Sequence, residues 1–552
     1  MNLPEDYYLH HFETLLEDVE ERYGALLRPE EGSRVVTFRR LPQGARRLLV
    51  RMLLRRGPWF PEKTLHYTEI GEPGPCLEQL IEGGFCLGPE AATLEVLLPL
   101  ATRQDLADLL TALGVPFPRS ARRSTLEELL RPREEAPGLL RQSLRPARVA
   151  REDLWHLLVF LFFGNFEQDL SQFVVADLGH LRYADYALDP GARVFQTREE
   201  VDFLLSIREL REELARHPAD LARITGAALA MEPHPGVRQQ RRYQGLLNEL
   251  GREWERLGEW TQALACFALG HRPPARERTA RILAGQGDVA GACALALTMA
   301  EAPRDMGESR FARVFLHRHR KGMEGASHWL ETHPAPEPPP ERPMTLARPP
   351  RSVEQAVLEA AQAEGWEGFF AENHLWKALF GLVFWDELFA PIPGAFQHRF
   401  QNAPLDLRDF LPPRRSRVEA RLAEIGDREA LVSRVLGNAD RHWGEACAFL
   451  HWKHLDRNHL AAALRRIPPE VVVQVLGTLA ENPLAFGSGF PDLFLYRPLE
   501  ATWALWEVKG PGDTLRPEQA WWLDRFRGLG CEVRVVRVKW GATAGPPSGP
   551  PR

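Results

Sequence analysis

Eight prolines fall between residues 333 and 352, in the stretch HPAPEPPPERPMTLARPPRS, and no other feature so narrows the folds open to this chain. A proline lacks the amide that a helix needs and fixes its own φ, so a run this dense forbids helix and favours extended, solvated backbone. The reading places a linker at 333–352. A chain of 552 residues is in any case long enough for about three to five domains rather than one core. A second tract, GATAGPPSGPPR from residue 541, is too small and proline-rich to pack and is expected to be disordered.

Before the linker the chain reads as helix. At the start, Tyr8, Phe12, Leu15, Leu16 and Val19 have helical period, and an Arg-dense stretch follows. Spacings of four and nine residues could set Arg47, Arg51 and Arg56 on roughly one helical side, where they could meet phosphates or form a solvated face. Residues 94–133 read as two short amphipathic helices joined by a Gly/Pro turn, with Thr102 and Ser124 as N-caps. That pattern resembles a SAP motif, a small DNA-binding unit. Nine Arg, among them Arg119, Arg122 and Arg123, against four Glu over 119–151 make this neighbourhood basic. Leu154 to Phe166 is apolar but too short for a membrane span, and reads as a buried helix. Leu250, Gly251, Trp254, Gly258, Trp260, Ala263 and Phe267 fall at the offsets of a tetratricopeptide repeat, and GDVAGACALAL at 287–297 looks like a second, degenerate unit.

A net charge of -6 gives no global pull toward nucleic acid, so any such site must be local. Six cysteines without a CxxC pair or Cys/His ligand spacing fit reduced thiols, and point to a cytoplasmic compartment. No signal peptide or membrane span is read, and no membrane partner is expected.

After the linker the pattern changes. PDLFLYRP and ATWALWEVKG read as strands of a hairpin, RPEQAWWLDRFRGLG as a helix ending at Gly530, and CEVRVVRVKW as a final strand. Asp492 begins one strand of the hairpin, while Glu507 and Lys509 end the other. Side chains alternate faces along a strand, so Glu507 and Lys509 point one way and Val508 the other. Fourteen residues separate Asp492 from Glu507, which lets a hairpin bring the three groups together. Converging carboxylates repel unless a cation lies between them, and hard oxygen ligands favour Mg²⁺ or Mn²⁺. A metal there would acidify water and polarise a phosphoryl oxygen, with the ammonium positioning the nucleophile or neutralising the transition state. Taken alone, the triplet fits a strand-edge salt bridge at least as well. GSGFPD before Asp492, GPGD after Lys509, and Gln519, in reach of the attacking water or the DNA backbone, favour the phosphodiesterase. Only six lysines occur in an Arg-dominated chain, which makes Lys509 a pointed choice.

FPDLFLYRP…WALWEVKGPGDTLRPEQAWWLDRFRGLGCEVRVVRV resembles the VRR-type nuclease domain of the PD-(D/E)XK superfamily and, more narrowly, the Fanconi-associated nuclease family. EGWEGFFAENHLWKALFGLVFWDELF at 364–389 resembles the family's helix with its remaining catalytic glutamate, and NAPLDLRDF the segment after it. On that helix Glu372, Trp376, Leu379, Val383 and Asp386 fall on one face. YYLHHFETLL, LLVRMLLRRGPWF and LHYTEI resemble the family's N-terminal domain. The resemblance implies metal ligation by Glu372, Asp492, Glu507 and the Val508 carbonyl, with Lys509 as catalytic lysine. Asn373 stands where the family usually has Gly, and His374 is also atypical. No ubiquitin-binding zinc finger is present, so the chain looks like the compact bacterial form, nucleoid-associated in its compartment. The His451, His454, His459 cluster is left without a metal role.

The expected architecture is multidomain and mainly α-helical, with an N-terminal helical domain, a SAP-like motif, TPR-like repeats and a C-terminal α/β PD-(D/E)XK nuclease domain. Expected limits are 1–93 for an N-terminal DNA-binding domain, 94–152 for the SAP-like region, 153–332 for the repeats, 333–352 for the linker, 353–540 for the nuclease and 541–552 for the tail. The implied activity is metal-dependent, structure-selective cutting of 5′ flaps and branched, nicked or crosslinked duplex DNA near the junction, with 5′-to-3′ exonuclease action, in interstrand-crosslink repair. The rivals are an inactive helical-repeat scaffold that binds branched DNA, and a restriction or junction nuclease on the same core. The sequence leaves the oligomeric state open.

Overall fold

The computed structural model describes residues 6–55, 57–177, 181–189, 191–320, 327–333, 335, 337–347, 352–372 and 374–541. The chain packs as two compact units. The first holds Met1–Arg182, Leu188–Arg198 and Gln397–Phe400; the second holds Tyr183–Ala187, Glu199–Phe396 and Gln401–Arg552. Ten short strands are present among the described residues: β1 (Trp59–Phe60), β2 (Cys86–Leu87), β3 (Ala147–Val149), β4 (Arg182–Tyr183), β5 (Glu341–Leu346), β6 (Glu367–Phe370), β7 (Glu445–Ala446), β8 (Leu493–Tyr496), β9 (Trp503–Lys509) and β10 (Glu532–Trp540).

In the first unit, the apolar run expected as a buried helix forms Glu152–Phe163 and stops at Gly164, whose φ of 68° suits a residue without a Cβ. Its Trp155 packs among the rings of Phe12, Phe38 and Phe85. A small sheet in the order β1-β3-β2 lies in the same unit. The basic neighbourhood is a cluster of four helices, Leu94–Leu100, Arg103–Ala112, Arg123–Leu130 and Ala136–Leu144, around buried Leu98, Leu106, Leu110, Leu126 and Leu140. Thr102 caps its helix as expected, accepting from the Asp105 amide at 3.2 Å. Ser124 does not, because its helix already starts at Arg123 with Arg122 as N-cap.

The second unit opens with antiparallel helices. Val237–Leu257 pairs with Trp260–Leu269, and Ala275–Gly285 with Val289–Glu301. Gly251 shows why the repeat pattern needs small residues, since a Cβ there would sit 2.6 Å from the Phe267 ring. A five-stranded sheet in the order β5-β10-β9-β8-β6 follows, with β6, β8 and β9 antiparallel and β10 parallel to both β9 and β5. Period-two alternation gives it two apolar faces. Leu493, Leu495, Ala504, Trp506 and Val508 pack with Val357, Leu358 and Ala361 of the helix Val353–Ala363. Phe494, Leu505, Val533 and Val535 face Trp522 and Phe526 of the helix Pro517–Gly528.

The proline-rich segment departs from expectation. Residues 334, 336 and 348–351 lie outside the described residues, but Glu341–Leu346 is a strand, not a solvated linker. It pairs on one side only, with β10, so Pro343 needs no ladder amide on its open side. The expected tail lies outside the described residues except for Gly541, whose amide extends the pairing to the Leu346 carbonyl at 2.9 Å.

Candidate active site

The β8–β9 hairpin forms as the sequence suggests, and its register decides the site. Leu493 pairs with Trp506, so the next step along the antiparallel ladder sets Asp492 opposite Glu507. Glu507 and Lys509 share the face of Leu505 while Val508 turns to the other apolar cluster, in accord with the alternation. The Val508 amide donates to Asp492 Oδ2 at 2.7 Å, locking the two strand ends together.

Glu372 enters from β6, and here the structure corrects the expectation that it lies on a helix. The helix begins at Leu375, and Glu372 sits in the strand-to-helix turn before it. The cause is backbone pairing: the amides of Ala371 and Glu372 both donate to the Asp492 carbonyl, at 2.7 and 3.2 Å, prolonging the β6–β8 ladder. The expected apolar stripe of Trp376, Leu379 and Val383 does form and is fully buried. Asn373 lies outside the described residues.

The electrostatics are those of acids held where acids are costly. Glu507 is fully buried and Asp492 nearly so. Burial, then the facing Asp492 charge, pushes the Glu507 carboxyl up to about 8; burial, with a contribution from Glu372, pushes Asp492 up to about 6. Lys509 Nζ forms an ion pair with Glu507 Oε1 at 2.8 Å, while Glu507 Oε2 is buried without a hydrogen-bond donor. A buried carboxylate with one oxygen unsatisfied, opposite a second carboxylate, fits a hard divalent cation. Glu372 is exposed at the rim, with Arg516 at 3.9 Å. Among the described residues, no three such groups are already closed to metal-binding distance.

Gln519 takes a different place from the one expected. It is buried, and its Oε1 accepts from Lys509 Nζ and from the Arg516 amide, both at 3.0 Å. It therefore fixes the lysine and the start of the helix Pro517–Gly528. Gly489, at a φ of 87°, brings the preceding loop against that helix start: a Cβ there would lie 2.7 Å from the Glu518 carbonyl carbon.

The expected arginine contacts fare unevenly. Arg47 pairs with Asp6 and donates to the Glu69 carbonyl, each at 2.8 Å, while Arg51 binds the Glu69 carboxylate and lies over the Tyr8 ring. Both are thus spent on internal partners, because folding brings an acid onto the face that the sequence shows as purely basic. Arg56 lies outside the described residues. Arg119 and Arg122 are exposed; Arg123 is also exposed, but donates to Glu127 and to the Leu98 carbonyl.

Sequence reasoning missed a cavity of about 390 Å³ lined by His271, Arg272, Arg304, Arg408, Ser488 and Glu518. Burial, then neighbouring guanidinium charges, lowers the pKa values of Arg272, Arg408 and nearby Arg241. Three arginines, with Asp305 and Glu518 also in the lining, leave an excess of positive charge beside the loop that leads to Asp492. Its members are far apart in sequence, and no local pattern joins them.

The chain is similar to known proteins along most of its length. The family models "FAN1, HTH domain" and "VRR-NUC domain" match residues 6–87 and 428–540. A Fanconi-associated nuclease 1 homolog of Pseudomonas aeruginosa is 32% identical, covering 98% of this chain and 97% of that protein. One from Oryza sativa subsp. japonica is 27% identical over 96% of this chain and 62% of its own length. The crystal structure of paFAN1 bound to 2nt 5′ flap DNA with gap superposes with a TM-score of 0.85 and 30% identity, covering 98% of this chain and 100% of that one. The chain accordingly belongs to the Fanconi-associated nuclease family and is a metal-dependent, structure-selective DNA nuclease.

Proposed function

We propose that the chain cuts the 5′-flap strand of branched or nicked duplex DNA near the junction, continues as a 5′-to-3′ exonuclease, and serves interstrand-crosslink repair at the bacterial nucleoid. The observation that carries the chemistry is the register placing buried Asp492 opposite Glu507, one of whose oxygens is ion-paired to Lys509 and the other left without a donor. Asp492, Glu507, Glu372 and the Val508 carbonyl are the proposed ligands of Mg²⁺ or Mn²⁺. Such a cation supplies Lewis acidity at the phosphoryl group and acidified water. Lys509, held by Gln519, orients the attacking water or offsets charge on the phosphoryl oxygens. The solved flap complex of a similar protein supports the substrate, and the arginine-lined cavity supports capture of a backbone or terminal phosphate without reading sequence.

The test is cleavage of an end-labelled 5′-flap duplex beside 3′-flap, nicked and plain duplexes, with Mg²⁺, Mn²⁺ or EDTA. Cutting of the flap strand near the junction, lost in EDTA and lost by about 10³-fold or more in Glu507→Gln, is expected. Tight flap binding without cutting in either metal would leave a scaffold, and symmetric or sequence-specific cuts a junction or restriction nuclease.

A further inference from the structure

The helix Leu375–Val383, which follows Glu372, is built almost wholly for the interior: eight of its nine residues are buried and uncharged, and the ninth is Lys377. A cation on such a helix loses hydration, and only an anion nearby can offset that loss. Among the described residues no hydrogen bond or ion pair holds the Lys377 ammonium, although the side chain is partly buried. Burial lowers its pKa, and the nearby Glu372 charge works in the opposite direction.

The far end of the side chain is placed by the loop that leads to Asp492. Lys377 Cε lies 3.7 Å from where a Cβ on Gly487 would stand. On either side of Gly487, Leu484, Ala485 and Ser488 line the arginine cavity. Lys377 thus lies between Glu372, at the rim of the acid site, and the wall of the cavity that holds Arg272, Arg304 and Arg408. Only six lysines occur in this arginine-dominated chain. An ammonium is a compact point charge on a flexible stem, suited to a single phosphate oxygen where a planar guanidinium suits paired contacts.

We propose that Lys377 holds a backbone phosphate of the strand being cut, close to the scissile one, on the stretch between the acids and the arginine cavity. A phosphodiester supplies the anion that the folded chain itself does not, and it positions the strand without reading its sequence. Because Lys377 stands on the helix that begins just after Glu372, one rigid element sets both an acid of the site and the strand that the site acts on. The inference rests on the nuclease reading, since it is the neighbouring acids that make a phosphodiester strand the fitting anion.

The test pairs a substitution in the full chain with one in the DNA. Lys377→Met keeps the stem and removes the charge. In a 5′-flap duplex an uncharged methylphosphonate replaces one phosphate at a time, over about three positions on each side of the junction in the flap strand. Affinity is read in EDTA, where no cutting occurs, and cleavage in Mg²⁺ and Mn²⁺. On the all-phosphate duplex Lys377→Met should bind about tenfold more weakly, with a salt dependence shallower by about one phosphate contact. At one position the methylphosphonate should weaken the unsubstituted chain by a similar factor and Lys377→Met no further, the non-additivity of a direct contact; at the others the two losses should multiply. The melting temperature of Lys377→Met should equal or exceed that of the unsubstituted chain, since a partly buried charge without a partner has been removed from an apolar helix. Losses that multiply at every position, equal affinities of the two chains for the all-phosphate duplex, or a lower melting temperature, which would assign the lysine to the fold, would overturn the contact. Because affinity is read without turnover, an unsubstituted chain that cut nothing in either metal would sink the nuclease reading while the methylphosphonate scan still decided the contact.

Discussion

Gln519 is a neutral side chain on which a charged one depends. Its single oxygen receives both the Lys509 ammonium and the Arg516 amide, so Gln519→Ala removes two hydrogen bonds at once. Cleavage is expected to fall about tenfold to a hundredfold, the range for partners that orient active-site groups, with a stability loss of about 1–2 kcal/mol from the cap. Single-turnover rates and thermal melts of Gln519→Ala and Gln519→Glu separate these, since Glu keeps an acceptor for both donors and should recover most of the rate. At this scale much of the site was legible. Asp492, Glu507 and Lys509 follow from strand alternation and hairpin spacing, which are local rules. The roles of Gln519, Arg47 and Arg51 were not legible, because each is set by a partner that only the fold brings near.

Among the elements, β5 shows how composition can hide pairing. Eight prolines argue for solvated coil, yet an edge strand needs donors on one side only, and Glu341–Leu346 supplies enough of them. Its inward residues are partly buried. Met344 joins the cluster of Trp506 and Val536, and the Arg342 guanidinium lies 4.9 Å from the Trp506 ring centre. Met344→Asp is therefore expected to cost about 2 kcal/mol, read by urea unfolding, with faster amide exchange along the β10 side of that pairing. A melt matching the unsubstituted chain would mean that β5 contributes nothing to the sheet. The position of Glu372 carries the same lesson: helical period correctly gave the apolar stripe, but the Asp492 carbonyl holds the acid's own backbone in ladder geometry.

For the molecule as a whole, the order of the sequence and the order of packing differ. Residues 397–400 belong to the first unit although both flanking segments belong to the second. Within that unit the His398 ring stacks on Phe162 at 5.4 Å and meets Phe163 edge-on at 5.1 Å, while Gln397 donates to the Tyr23 hydroxyl at 2.7 Å. Burial lowers the His398 pKa to about 4. Above about pH 6.5 the ring is neutral in folded and unfolded chains alike, and stability is complete. As pH falls below that value the unfolded ring takes a proton that the folded one refuses. Stability should drop by about 1.4 kcal/mol per pH unit until the folded ring titrates near pH 4. Urea unfolding across that window should show a shallower slope in His398→Asn; an unchanged slope would assign the loss to other groups. No linear set of domain limits drawn from sequence could have shown this return. It also bears on how the chain is made. A ribosome that has released residues 1–198 has not yet supplied the four residues that fill in beside Phe162 and Tyr23, so synthesis must run some two hundred residues further before the earlier unit can close.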